Sequence, residues 1–141
     1  TLGSIQLSHW DQEKLARKQI LLRYLDIMKA NDFSSYIPAI YNDSNREIIP
    51  LRLIFCHPKA TLLKKILKKY FDVNGIWFTK PIIATSLPLK DFGYIEGTCP
   101  NAESIGKEII NIPIITHPDW IENACTAFDR CLKKFNKTNM L

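Results

Sequence analysis

The chain has 141 residues, 46% of them hydrophobic and 23% charged, which fits one globular domain of ordinary make-up and excludes a disordered or collagen-like polypeptide. Its longest apolar stretch, Ile109 to Ile115, carries Asn111 and Pro113, so nothing approaches the roughly 20 apolar residues that cross a bilayer, and no membrane partner is expected. The formal charge of +5 arises from 19 Lys+Arg against 14 Asp+Glu, and 14 of the cations are lysine; nucleic-acid surfaces usually draw on the bidentate fork of arginine, so nucleic acid is not the expected partner either.

The first long element runs from Ser8 to Met28, where Ser8 and Asp11 offer capping chemistry and no Pro or Gly intervenes. Leu21, Tyr24, Leu25 and Met28 make its apolar stripe, and Lys14, Arg17 and Lys18 are solvated or paired. Asn31 to Asn45, with Pro38, has the composition of a surface loop. Ile48 to Cys56 reads as a strand with Leu51, Leu53 and Phe55 on its packed face and Pro50 at an edge. His57-Pro58 then opens a helix whose end the imidazole can cap. Its apolar side is Leu62, Leu63, Ile66, Leu67 and Tyr70, and Lys64, Lys65, Lys68 and Lys69 form a solvated face.

Asn74-Gly75 supplies a left-handed turn, after which Ile76 to Thr79 reads as a further strand. Ile82 to Gly97 is irregular, and a loop of that kind is where binding usually resides. Pro100 opens a short helix that ends near Glu108, and Ile109 to Ile112 is a buried strand stopped by Pro113. Thr116 and Asp119 make a capping box for the last helix. Its residues Ile121, Ala124, Cys125, Phe128, Leu132 and Phe135 keep helical spacing, so it must lie on an apolar surface, most simply the sheet.

This order predicts an α/β two-layer sandwich of the α+β kind, with a small three- to four-stranded sheet covered by helices. The first helix has too little sequence before it to be an ordinary domain start and reads as a connector. The chain opens at Thr1, without a methionine, directly into amphipathic sequence, which reads as a piece of something longer.

Reactive chemistry is sparse. Cys125 and Cys131 are six residues apart on a helix, about 120° from each other, so no metal site is expected. The four cysteines, with no secretory leader, do not read as a disulfide framework and favour a reducing cytoplasm. No serine or cysteine sits in a Gly-rich turn, and the glycines are too scattered to cradle phosphate.

The segment Asp91-Phe92-Gly93-Tyr94-Ile95-Glu96-Gly97-Thr98-Cys99-Pro100-Asn101-Ala102-Glu103, followed by Ile109-Ile110-Asn111-Ile112-Pro113, resembles the C-terminal domain of the DegT/DnrJ/StrS family of pyridoxal-phosphate-dependent sugar aminotransferases. Gly3, Gln6 and Leu7, then Arg17 and Tyr24, resemble landmarks of that family's connecting helix. Leu51 to Pro58, Leu63 to Leu67 and Asn74-Gly75-Ile76 resemble its strand, helix and glycine-isoleucine turn. The ordered set covers essentially the whole chain.

The resemblance implies the small domain of a fold type I enzyme that moves an amino group from glutamate to a nucleotide-linked keto-sugar and works as a homodimer. Pyridoxal phosphate and the catalytic residues would then belong to a large domain outside this chain, so no catalytic or cofactor-binding residue is expected here. Substrate contacts are expected between Trp77 and Tyr94, with Trp77 and Lys80 as candidates: an aromatic face can stack on a sugar or base and a lysine can meet a diphosphate. Gly75, Gly93, Tyr94, Gly97, Pro100 and Pro113 are expected to set loop geometry, and Glu103 to favour a helix N-terminus. A free-standing basic binding module and a degenerate, non-catalytic relative are the rival readings.

Overall fold

The computed structural model describes residues 7–73, 79–83 and 85–139. Among them are four α-helices and two strands in the order α1 (Trp10–Ala30), β1 (Arg52–Cys56), α2 (Ala60–Leu67), α3 (Pro100–Glu108), β2 (Ile109–Pro113) and α4 (Pro118–Asn139). Single 3-10 turns lie at Ser34–Tyr36, Ala39–Asn42 and Leu89–Phe92. The architecture is the expected small α/β domain, but among the described residues its sheet has two strands, not three or four. Gly75, Trp77 and most of the strand expected at Ile76 to Thr79 lie outside the described residues.

β1 and β2 pair antiparallel, with Leu53 opposite Ile112 and Phe55 opposite Ile110. Those four side chains are fully buried and form the sheet's contribution to the core. β1 starts at Arg52, later than Ile48, and Leu51 is 74% exposed, not part of the packed face. Pro50 has no amide hydrogen to give a ladder, and its carbonyl accepts instead from Arg17 Nη1 at 3.2 Å. One backbone bond continues past the strand, from Ile114 N–H to the Leu51 carbonyl at 3.0 Å.

α1 buries Ile20, Leu21, Tyr24, Leu25 and Met28, the expected stripe and one neighbour. Its cations are paired: Lys14 with Asp11, Arg17 with Glu13 and Lys18 with Glu47. The N-cap position is His9, which makes no side-chain capping bond. At α2 the imidazole does cap: His57 Nδ1 accepts the Lys59 N–H at 2.9 Å, and the His57 carbonyl accepts the Ala60 N–H at 2.9 Å.

α4 buries Ala124, Cys125, Phe128, Cys131, Leu132 and Phe135. It lies across α1 and α2, not on the sheet. Phe128 sits between Tyr24 and Phe71, with ring centroids 5.1 and 6.3 Å away, and Arg23 forks onto both Glu122 oxygens at 2.7 and 2.8 Å. The sheet is too small to cover four turns of helix, so the apolar faces of α1 and α2 serve instead. The expected Thr116 capping box is displaced by a longer-range bond: Thr116 Oγ1 donates to Glu13 Oε1 at 3.1 Å, tying the start of α4 to α1.

Candidate functional site

The expected loop residues close on one another. Gly93 and Gly97 adopt φ of +75° and +90°, a region that costs an L side chain about 1–2 kcal/mol. These two turns fold residues 89–99 back against the start of α3. Tyr94 then donates its hydroxyl hydrogen to Glu103 Oε1 at 2.5 Å, and the Gly97 N–H donates to the same oxygen at 2.7 Å. The Tyr94 oxygen in turn accepts the Cys99 N–H at 3.1 Å. The Tyr94 hydroxyl and then the Gly97 amide hold the Glu103 carboxyl below its ordinary range, while burial and the bond to Glu103 push the Tyr94 phenol up.

Pro100 occupies the first turn of α3, where a missing N–H costs nothing. Glu103 lies in that first turn as expected, but its carboxylate is also the anchor of the loop. Pro113 stands at the end of β2, opposite Arg52.

This clasp forms one wall of a cavity of about 390 Å³ lined by Thr79, Pro81, Pro88, Leu89, Lys90, Tyr94, Glu96, Glu103 and Lys107. Gly106, in the middle of α3, sets how closely the helix meets the opposite wall. A Cβ there would stand 2.5 Å from the Thr79 carbonyl oxygen, so only glycine admits this approach. Lys80 stands between two lining residues, Thr79 and Pro81, and its Nζ donates to the Leu87 carbonyl at 2.8 Å. Trp77 lies outside the described residues. Lys90, Glu96, Gly106 and Lys107 were not singled out by the sequence; a glycine inside a helix, which costs about 1 kcal/mol against alanine, was the one local signal for Gly106.

The lining suits binding more than bond-making: two ammonium groups, two carboxylates, one aromatic ring and apolar walls. A pyridoxal phosphate site needs free N–H groups for the phosphate beside its amine and carboxylate, and the Gly93 and Gly97 N–H groups at this wall are already engaged. Glu103 Oε1 is taken by Tyr94 and Gly97. The Gly93 N–H is spent on the Lys90 carbonyl. Lys64, whose amine burial pushes down, does not line the cavity.

Elsewhere, Cys56, Cys99, Cys125 and Cys131 are free thiols, and burial pushes Cys56, Cys125 and Cys131 up, away from the reactive thiolate. No group of His, Cys, Asp or Glu among the described residues is arranged to hold a metal. No helix among the described residues is long and apolar enough to cross a membrane.

Comparison with curated proteins gives no match. The family model of the DegT/DnrJ/EryC1/StrS aminotransferases matches residues 1–124, which takes in α1, the clasp, the cavity, both strands and the first turns of α4. With that span, and with the Gly93 to Glu103 segment folded into one closed unit, the chain belongs to the DegT/DnrJ/EryC1/StrS aminotransferase family, whose members are pyridoxal-phosphate-dependent.

Proposed function

We propose that residues 31–141 are the C-terminal small domain, and residues 1–30 the connecting helix, of a cytoplasmic, homodimeric aminotransferase that moves an amino group from glutamate to a nucleotide-linked keto-sugar. In this reading a separate large domain holds pyridoxal phosphate and the catalytic residues, and the small domain shapes the substrate side. The cavity that Thr79, Pro81, Pro88, Leu89 and Lys90 line together with α3 carries the proposal. A nucleotide-linked sugar offers two kinds of surface, a charged diphosphate and flat rings. Lys90 and Lys107 suit the first, and Pro81, Pro88 and the Tyr94 ring suit the second. Lys80 and Trp77 are proposed to join them, Lys80 by exchanging its bond to the Leu87 carbonyl for one to substrate.

Exposed apolar side chains in the same loop support its placement against a second body. Ile82, Ile83, Leu87, Phe92 and Ile95 are all substantially exposed, an apolar concentration that free surface loops rarely carry. The test is an absorption spectrum of the longest natural product of this coding region. A band near about 420 nm that glutamate moves toward about 330 nm, and that a nucleotide-linked keto-sugar restores, is the expected result. A product that binds no pyridoxal phosphate overturns the reading.

A further inference from the structure

α2 and α4 pack against each other, and their solvent-facing sides carry an excess of cations, with aromatic residues at one end of the pair. The two helices run antiparallel. Lys59, just ahead of α2, bonds through Nζ to Asn139 at the end of α4. Midway, the Cys131 thiol lies 3.9 Å from the Ile66 carbonyl. At the other end Tyr70, Phe71 and Trp120 share a shallow depression. Lys65 and Lys69, one turn apart, flank Ile66 on the solvent side, and Arg130, Lys134 and Lys137 follow one another along the outer face of α4.

Only part of the charge on these two helices is paired, and the exposed carboxylate near the aromatic end, Asp119, lies beside His117. Lys133 is paired with Asp129 at 2.7 Å, and Asp129 is also held by Asn31 at 2.9 Å. Lys65, Lys69, Arg130, Lys134 and Lys137 have no carboxylate partner among the described residues. Trp120 and Tyr70 are 62% and 50% exposed.

Several polyanions would be attracted to five free cations, and the arrangement separates them. Single-stranded nucleic acid is held by rings set among the cations, so that successive bases stack while phosphates are neutralised. Here the rings stand together at one end and lysine outnumbers arginine. A lipid surface asks for this arrangement instead: cations spread over a shallow face, each worth a similar electrostatic increment, and tryptophan and tyrosine placed to enter the headgroup layer.

We propose that the α2–α4 face docks the protein on an anionic phospholipid surface, with Lys65, Lys69, Arg130, Lys134 and Lys137 over the headgroup phosphates and Trp120 and Tyr70 in the headgroup layer. The expectation of no membrane partner rests on the lack of a spanning segment, and surface docking needs none.

The test is sedimentation of the 141-residue chain with vesicles of about 70% phosphatidylcholine and about 30% phosphatidylglycerol, beside pure phosphatidylcholine vesicles. Expected are binding to the mixed vesicles alone, steep loss as salt rises from about 50 to about 300 mM, and a blue shift of tryptophan emission that Trp120→Phe removes. The triple variant Arg130→Gln, Lys134→Gln, Lys137→Gln should partition about 100-fold more weakly, roughly fivefold per cation, with an unchanged circular dichroism melt. A second triple, Lys14→Gln, Lys18→Gln, Lys29→Gln on α1, removes the same charge and should retain binding. Equal loss in both triples overturns the proposal, because net charge alone would then account for binding. So does the absence of partitioning, or tight binding to a single-stranded oligonucleotide with none to the mixed vesicles.

Discussion

Tyr94 and Glu103 stand nine residues apart and meet through a 2.5 Å hydrogen bond from the phenol to the carboxylate. That bond gives the loop before α3 its shape, because the same Glu103 oxygen holds the Gly97 amide and the same Tyr94 oxygen receives the Cys99 amide. Tyr94→Phe removes a donor from Glu103 and an acceptor from Cys99 at once. Amide exchange at Gly97 and Cys99 should accelerate while α4 stays protected. The clasp should also loosen in acid. Glu103 is held below its ordinary pKa, so its contribution is complete above the unfolded carboxyl value of about 4.3 and disappears as pH falls through the lower folded value. If exchange at Gly97 is the same in Tyr94→Phe as in the parent, the clasp does not hold the loop.

Phe128 is fully buried between Tyr24 and Phe71. Phe128→Ala should cost about 3–5 kcal/mol, a large share of the stability of a domain this size. Urea denaturation measures it, and a midpoint that scarcely moves would show that the core reforms around the cavity.

His57 is 5% exposed and sits against Tyr36, Phe135 and Phe33, with ring centroids 4.3, 5.0 and 5.5 Å away. Burial, and then the nearby Lys59 charge, push its pKa down. Its Nδ1 must stay unprotonated to accept the Lys59 amide. The unfolded chain therefore takes up the proton first. Stability from this group is complete above the unfolded value of about 6.5 and falls as pH drops toward the lower folded value. His57→Asn keeps an acceptor for Lys59 but does not titrate, so melting temperature between about pH 7 and pH 5 should decline less in the variant. Parallel declines would assign the acid sensitivity to other groups.

How far these features can be read from sequence depends on how local their causes are. α1, α3, β2 and α4 follow from periodicity, proline position and strand composition within a few residues, and the Tyr24, Phe128 and Phe135 positions follow with them. What the sequence hides is non-local. Thr116 is spent on Glu13, 103 residues away, so a local capping pattern names the wrong partner. The Pro50 carbonyl is taken by Arg17, 33 residues away, while β-branched composition alone extends the strand past it. Glycines at 93 and 97 signal turns, yet nothing in their spacing shows that Glu103 would gather Tyr94 and Gly97 onto one oxygen. The cavity depends on Thr79 meeting Gly106, a contact across 27 positions that only the fold brings together.

Gly106 makes that contact testable. On an isolated helix, Gly→Ala gains about 1 kcal/mol. Here the new methyl group would stand 2.5 Å from the Thr79 carbonyl oxygen, a backbone atom that moves only with its loop. Overpacking of this kind costs about 1–3 kcal/mol, so Gly106→Ala should be neutral to destabilising and should shift the backbone resonances of Thr79 and Pro81. A stabilised variant with unchanged resonances would mean that α3 and residue 79 do not touch in solution.

Lys107 lies one turn beyond Glu103 on α3 and lines the cavity together with Lys90. Its place is fixed twice, by Gly106 against Thr79 and by the clasp at the helix start, so a neighbouring side chain cannot readily substitute for it. If the cavity takes the diphosphate of a nucleotide-linked sugar, Lys107→Gln in the full-length enzyme removes one charge-assisted hydrogen bond. The KM for the nucleotide-linked sugar should then rise about tenfold, the equivalent of roughly 1.5 kcal/mol. The KM for glutamate should not change, because glutamate brings no phosphate to this wall. Raised salt should weaken the parent more than the variant, since the lost interaction is ionic and partly exposed. An equal rise in both KM values would place Lys107 in the general structure of the domain, and no rise in either would remove the diphosphate from this cavity.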